Sequence, residues 1–297
     1  MDRAAPIGAA HVSLDAPDPF VPRHRFRSDV RTQPPGLAVG RRRRAGSPLH
    51  RRPSGGMKAP AAPAPIPIGL SIVVPVLDEA AIVEASLLAL EPLRAEGVEV
   101  VVVDGGSRDD TAALAAPWAD AVVAGPRGRA AQMNVGARHA RGSVLLFLHA
   151  DTALPPKAVG FITAALQAPR SGGRMVAQWG RFDVRISGRR RLLGLVAALM
   201  NLRSRLTGIA TGDQAIFMTR GAFDAVGGFP DQPLMEDVEM SCRLRRLTAP
   251  ACLRQRVTTS GRRWETRGIW RTIVLMWRLR LLYAIGVAPE RLARSYR

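Results

Sequence analysis

Apolar and polar positions along the chain fall into a regular order from Leu70 onward. "LSIVVPV" (70–76) is a short, almost unbroken apolar run, the pattern of a strand covered on both faces. Val83, Leu87 and Leu90 then recur at i, i+4 and i+7, one face of a helix. "VEVVVV" (98–103) predicts a second strand and leads into "DGGSRDDT", where Ser107, with Asp110 three residues on, is expected to form a capping box opening the next helix. "DAVVA" (120–124), "GRAAQMNVGARHA" (128–140) and "VLLFLH" (144–149) predict a third strand, a helix and a fourth strand. Such alternation implies a parallel sheet with right-handed crossovers. The loops after Val76, Val103, Ala124 and His149 then share one edge.

The second half is less periodic. "FDVRIS" (182–187) alternates as a half-exposed strand, 190–206 reads as a helix, and "QAIFMT" (214–219) as a strand. A helix over 234–247 carries Met240, Leu244 and Leu247 on one side, followed by a short strand around 252–258 and an amphipathic helix over 268–283. The expected fold is a single α/β domain over 68–297, its central sheet mixed but mostly parallel and flanked by helices. No apolar run reaches the length of about 18 that a bilayer span needs. "LLGLVAALMNL" (192–202) is too short and reads as a core helix. In the last helix Trp270, Ile273, Val274 and Trp277 repeat at helical spacing, with Arg271 and Arg278 on a neighbouring stripe. That pattern fits a helix docked on the core with snorkelling arginine stems, and equally one lying in a membrane interface as a peripheral contact.

Composition changes the picture at the N-terminus. Residues 1–67 are rich in Pro, Gly, Ala and Arg, include "GRRRRAG", and show no apolar periodicity, so a disordered basic tail is expected there. A start at Met57 would remove residues 1–56. The net charge of +19 raises the possibility of a polyanion or membrane-surface binder acting through this tail. Lysine occurs only at 58 and 157, so the charge is carried almost wholly by arginine and reads as compositional bias. The tail's only aromatic residues are Phe20 and Phe26, too few for base stacking, and no specific nucleic-acid partner is expected. The first twenty residues lack the apolar stretch of a secretory signal. Cys242 and Cys252 are too few for a zinc site and are expected to be reduced, which points to the cytoplasm, including the inner face of the membrane if the last helix is interfacial.

Acidic residues gather at the predicted strand ends: Asp78 and Glu79 after the first strand, Asp104 before Gly105 and Gly106 after the second, Asp151 after the fourth, and Glu236 with Asp237 much later. Each alone is commonly a helix cap. Together they fall on the sheet edge where open α/β folds bind ligands. Paired glycines let backbone approach a ligand, and a carboxylate such as Asp151 suits a hard divalent cation bridging to a diphosphate. No G-x-G-x-x-G follows the first strand and no G-x-x-x-x-G-K-[ST] occurs, which disfavours dinucleotides and P-loop chemistry. A nucleotidyltransferase would share sheet and metal, but the loop "PVLDEAA" is acidic and has no Gly, unlike the Gly-rich basic loop of those enzymes.

"SIVVPVLDEAAIV", "VVVDGGSRDDT", "LLFLHADTALP", "GDQAIFMTRGAFDAVGGF" and "LMEDVEMSCRLRR" together resemble the family 2 glycosyltransferases of GT-A fold, over about residues 70–265. "GRAAQMNVGA" with "HADT" further resembles a bacterial subgroup associated with radical-SAM and selenium-related gene neighbourhoods, sometimes named for arsenosugar biosynthesis. The resemblance implies an inverting transferase of hexosyltransferase type, moving sugar from a nucleotide-sugar donor to a small-molecule or lipid-linked acceptor hydroxyl with Mg²⁺ or Mn²⁺ as cofactor. It implies that Pro75, Asp78 and Glu79 border the nucleoside, that Asp104 with Gly105 contacts the base, and that Arg129, Gln132 and Asn134 lie along the nucleotide. Asp151 matches the last Asp of the D-x-D metal motif, whose first Asp is replaced here by His149; imidazole leans toward softer metals than Mg²⁺. Asp237 matches the catalytic base, supported by Glu236 and kept ionised by the helix dipole. Asp213 and Gln214 would line the acceptor side. "SGRRWE" (260–265) is similar to the Q-x-x-R-W motif of processive members, but Ser260 stands in place of Gln, so processivity is not implied. Arg263 and Trp264 would contact the leaving diphosphate or a sugar.

Overall fold

The computed structural model describes residues 69–168 and 176–296, all within one compact unit. The expected tail, 1–67, and the alternative start at Met57 lie outside the described residues. Strand β1 (Leu70–Val76) pairs in parallel with β2 (Glu99–Asp104), and β2 with β3 (Ala121–Ala124). On its other side β1 pairs in parallel with β4 (Val144–Phe147). Ile72 faces both Val100 and Leu146 across this ladder, and all three are fully buried. Side chains alternate between two cores: Ile72, Val74, Val100 and Leu146 on one face, Val73, Val101, Val103 and Leu145 on the other. A strand buried on both faces needs apolar side chains at nearly every position, as the sequence has.

Helices α1 (Val83–Leu88), α2 (Glu91–Ala95) and α3 (Thr111–Ala115) make the first crossovers, and α4 (Arg129–His139) covers the opposite face. After β4 come the short β5 (Thr152–Ala153), α5 (Ala158–Gln167), β6 (Trp179–Ser187) and α6 (Leu192–Thr207). A 3₁₀ turn (Gly212–Gln214), β7 (Ile216–Thr219), α7 (Arg220–Ala225), α8 (Glu236–Leu247) and β8 (Ala251–Ser260) follow. The chain closes with α9 (Arg262–Arg267), α10 (Ile269–Ala284) and α11 (Pro289–Tyr296). The sheet order is β3-β2-β1-β4-β7-β6-β8-β5. β7 is antiparallel to β4 and β6, β8 runs parallel to β6, and β5 runs antiparallel to β8.

Three expectations are corrected. No capping box opens α3, because the Ser107 hydroxyl donates to Asp104 and accepts the Asp78 amide. β6 is half-exposed only at its end: it begins at Trp179 and is buried through Val184, because α6 packs on it, and alternates only at exposed Arg185, buried Ile186 and exposed Ser187. Beside the register shift at Phe182/Asp183, where β8 carries the extra Arg254 and Gln255, Asn201 of α6 donates its amide to the Val184 carbonyl at 2.9 Å and accepts the Val184 N–H at 2.8 Å. Third, Leu247 does not join Met240 and Leu244 in the core, since it sits at the exposed end of α8.

One buried side chain fixes the sheet edge. Gln132 of α4 donates through Nε2 to the carbonyls of Val76 (2.7 Å) and Val103 (2.9 Å), the ends of β1 and β2. A Cβ at Gly105 would stand 2.8 Å from that nitrogen, so glycine there makes room for the amide. Leucine at 132 would leave two buried carbonyls short of a donor. Gln132→Leu is expected to lower unfolding free energy by about 2 kcal/mol in urea titration.

Candidate functional site

The loops after β1 and β2 are laced together by their own acidic side chains. Asp78 has a left-handed backbone (φ 53°); its amide donates to Ser107 Oγ at 2.9 Å and its carboxylate accepts the Arg108 amide at 2.8 Å. Glu79 donates its amide to Thr111 Oγ1 at 2.8 Å. Asp104 accepts the amides of Gly106 (3.2 Å) and Ser107 (3.1 Å) besides the Ser107 hydroxyl. Asp78 and Asp104 therefore hold the shape of the edge. The Glu79 carboxyl instead faces a cavity, where burial pushes its pKa up, Arg262 at 3.9 Å opposes the rise, and the charge of Asp151 adds to it.

Asp151 sits just beyond β4, its backbone pinned by the Ser260 amide, which donates to its carbonyl at 3.1 Å, while its carboxylate stays exposed apart from the Thr152 hydroxyl at 3.3 Å. His149 lines the same cavity and pairs with the turn before β7. Its Nδ1 lies 3.4 Å from Asp213, and its Nε2 edge packs so closely on Gly212 that a Cβ there would collide with the ring. The His149–Asp213 pair, together with Arg129 and Arg263, outweighs burial and holds Asp213 below the ordinary carboxylate range.

The turn carrying Asp213 also grips Asp237. Gly212 donates its amide to Asp237 Oδ2 at 2.9 Å, and Val238 donates to Oδ1 at 2.7 Å. Met235, immediately ahead of α8, is left-handed (φ 65°), a conformation uncommon outside glycine that aims Glu236 and Asp237 at the site. The helix dipole favours the ionised forms of both carboxyls, and burial opposes it. Burial pushes both carboxyls up; the Asp237 charge raises Glu236 further and the Asp213 charge raises Asp237. Buried Arg203 faces the same carboxylate, and its Nε and Nη2 have no hydrogen-bond partner.

The end of β1, the segment after β4, the start of α4 and α9 border a cavity of about 580 Å³, whose lining does not include Asp213, Glu236 or Asp237. Of the residues singled out from the sequence, Pro75, Glu79, Arg129, Gln132, His149, Asp151 and Arg263 line it. Asn134 does not: its side-chain amide pairs with the backbone of Phe229 in both directions at 2.9 Å. Gln132 reaches the wall with its amide nitrogen already committed to the two strand ends. Gln214 is fully buried and closes its own turn through Thr211, and Trp264 packs against the core. Arg127, Arg262 and Arg267 also line the cavity and were not singled out. The spacing of Arg263 and Arg267, one helical turn apart, is the signal that could have found the last. Both guanidinium groups lie 5.7 Å from the centre of the Tyr296 ring, and Arg263 donates to its hydroxyl.

Among the described residues no three His, Cys, Asp or Glu side chains converge as a metal cluster. Asp151 and Glu79 supply hard oxygens close enough to feel one another's charge, which fits a hard cation completed by ligand oxygens. The five cavity arginines suit a polyanionic ligand, and the carboxylates across from them suit hydroxyl groups.

Comparison with known proteins agrees with this layout. In fold the chain is similar to a mannosyltransferase from Pyrobaculum calidifontis solved with GDP-Man and Mn²⁺ (21% identity, TM-score 0.52, 80% of this chain and 71% of that one). It is similar to glucosyl-3-phosphoglycerate synthase from Mycobacterium tuberculosis, solved with Mn²⁺, UDP and glucosyl-3-phosphoglycerate (21%, 0.52, 74% and 81%). A third likeness is to TarS from S. aureus with UDP-GlcNAc (16%, 0.51), where 65% of this chain spans 58% of the other. No curated protein sequence matches. The sequence profile of Glycosyl transferase family 2 matches residues 71–225, from the start of β1 to the end of α7. With more than half its length matched and a GT-A fold, the chain belongs to glycosyltransferase family 2.

Proposed function

We propose that the protein transfers a hexosyl group from a nucleotide-diphosphate sugar to an acceptor hydroxyl in a single inverting displacement. The observation that carries this reading is an arginine-walled cavity with an exposed Asp151 at one sheet edge of a family 2 domain, next to the turn whose Gly212 amide holds Asp237. The nucleoside lies against the Pro75–Glu79 segment, and Arg129 with the α9 arginines takes the diphosphate. Asp151 would hold Mg²⁺ or Mn²⁺, the ions present in structures of similar fold. When bound, the ion supplies positive charge to the leaving diphosphate. Asp237 takes the acceptor's proton as its oxygen bonds to the anomeric carbon and the bond to the diphosphate breaks. Glu236 supports Asp237, and the amide of Gly212 orients it. Asp213 sets the charge beside it while holding His149. The pairing of "GRAAQMNVGA" with "HADT" supports placement in the arsenosugar-associated bacterial subgroup, acting in the cytoplasm.

Replacing Asp237 by Asn is expected to reduce kcat by about 10²-fold or more while donor binding by calorimetry stays nearly unchanged. Asp151→Asn should abolish the metal-dependent part of UDP or GDP binding, with its melting transition retained; an unaltered metal response would remove Asp151 from this role.

The raised Asp237 pKa gives activity and stability opposite pH dependences. The folded protein holds this proton more tightly than the unfolded chain, whose carboxyl titrates near 3.8. Stability from this group falls as pH rises from 3.8 to the folded value, and base activity appears as pH rises through that folded value. The acid limb of kcat/KM is therefore expected above the ordinary aspartate range. Asp213→Asn, which removes a like charge, should shift the limb to lower pH.

A further inference from the structure

Helix α10 is apolar on two sides, and only one of them is covered. Thr272, Leu279 and Tyr283 turn inward, the last two into a core shared with α8 and α11. Trp270, Val274, Trp277, Leu281 and Ile285 follow one another at i, i+4, i+7, i+11 and i+15 and form a stripe facing solvent. Trp270 is 67% exposed and Trp277 73%. On α6, Leu192, Leu195, Leu199, Leu202 and Leu206 form a second exposed stripe. The two helices border one open apolar groove of about 650 Å³. Ten large exposed apolar side chains on two helices exceed the scattered exposure normal for a soluble surface.

Charge identifies what covers this face. Neither α6 nor α10 contains an Asp or Glu. Exposed Arg189, Arg190 and Arg191 precede α6, and Arg271 and Arg278 flank the tryptophans of α10. An apolar strip carrying interfacial Trp and rimmed by Arg matches the headgroup boundary of an anionic bilayer. Among the described residues no helix is long and apolar enough to cross a membrane, so the contact lies in the interfacial plane. We propose that the α6–α10 face docks on an anionic lipid bilayer. Only Gly268 separates α9, which lines the cavity, from α10, so a docked bilayer would lie beside the cavity wall.

The test uses the full chain with phosphatidylcholine vesicles, with and without 30% phosphatidylglycerol (an arbitrary working composition of about that value), whose acyl chains are brominated to quench tryptophan. Binding to the anionic vesicles with tryptophan quenching is expected, weakened at high salt. The Trp270→Ser/Trp277→Ser double variant should lose quenching and at least about tenfold in vesicle affinity. Its UDP binding should be unchanged, which separates this proposal from the donor site. The α6 variant Leu195→Ser/Leu199→Ser, read for vesicle affinity, provides the same decision if the tryptophan variant fails to fold. Sedimentation without quenching would assign binding to the basic N-terminal residues and overturn the proposal. So would absence of binding, or a dimer dispersed by the double variant, which would make a second copy the occupant.

Discussion

A parallel strand pair cannot be closed by a tight turn. β1, β2, β3 and β4 all run the same way, so each must hand the chain to a crossover at the same edge. This constraint places the segments after Val76, Val103, Ala124 and Phe147 side by side. The central strands β1, β2 and β4 are buried on both faces and carry few polar groups along their length, Ser71 paired with Glu99 being one, so most polar side chains collect where the sheet stops. Gln132 then ties two of those ends together from the helix behind. The site is a consequence of sheet polarity before any single residue is considered.

The second half of the site depends on a reversal. β7 runs antiparallel to β4, so the turn just before β7 lies beside the end of β4. That brings Asp213 to His149 and presents the Gly212 amide to Asp237. One short turn thus joins the β4 edge to the start of α8. The charges are sorted across it: Asp213, beside His149, Arg129 and Arg263, is held below the ordinary carboxylate range, and Asp237, beside the charge of Asp213, is pushed above it. Two aspartates of one chemistry acquire different proton affinities because one turn gives them different neighbours.

Periodicity made much of this legible. β1 coincides with the apolar run at 70–76, and the helix at 128–140 matches α4 to within a residue at each end. Acidic residues at strand ends indicated the edge, and Asp151, Glu79 and Arg129 do face the cavity. Single-residue roles were less legible because a motif letter does not report what a side chain is bonded to. Asn134 and Gln214 look like ligand contacts in a string, yet their amides satisfy backbone and turn groups that would otherwise be buried unpaired. Asp104 carries a carboxylate whose nearest donors belong to its own loop. Of the α9 arginines, Arg263 was legible from its motif, whereas Arg262 and Arg267 reach the cavity with no motif to mark them, and Arg267 packs with Arg263 on Tyr296, about thirty residues further along.

α10 shows how a periodic pattern can support two readings at once. Apolar residues surround most of this helix, and a helix hydrophobic all round is normally buried all round. Here α8 and α11 cover one side, leaving the tryptophan side open. The sequence pattern posed core and interface as alternatives, and the fold buries one face of this helix in the core while leaving the opposite face exposed. α6 repeats the division: Leu193, Val196 and Ala197 pack inward on β6 while the leucine stripe faces out. Asn201, on that inward side, bonds both backbone groups of Val184 in β6, which ties the orientation of α6 and its exposed stripe to the sheet. The apolar face is therefore held rigidly by the same sheet whose edge forms the site.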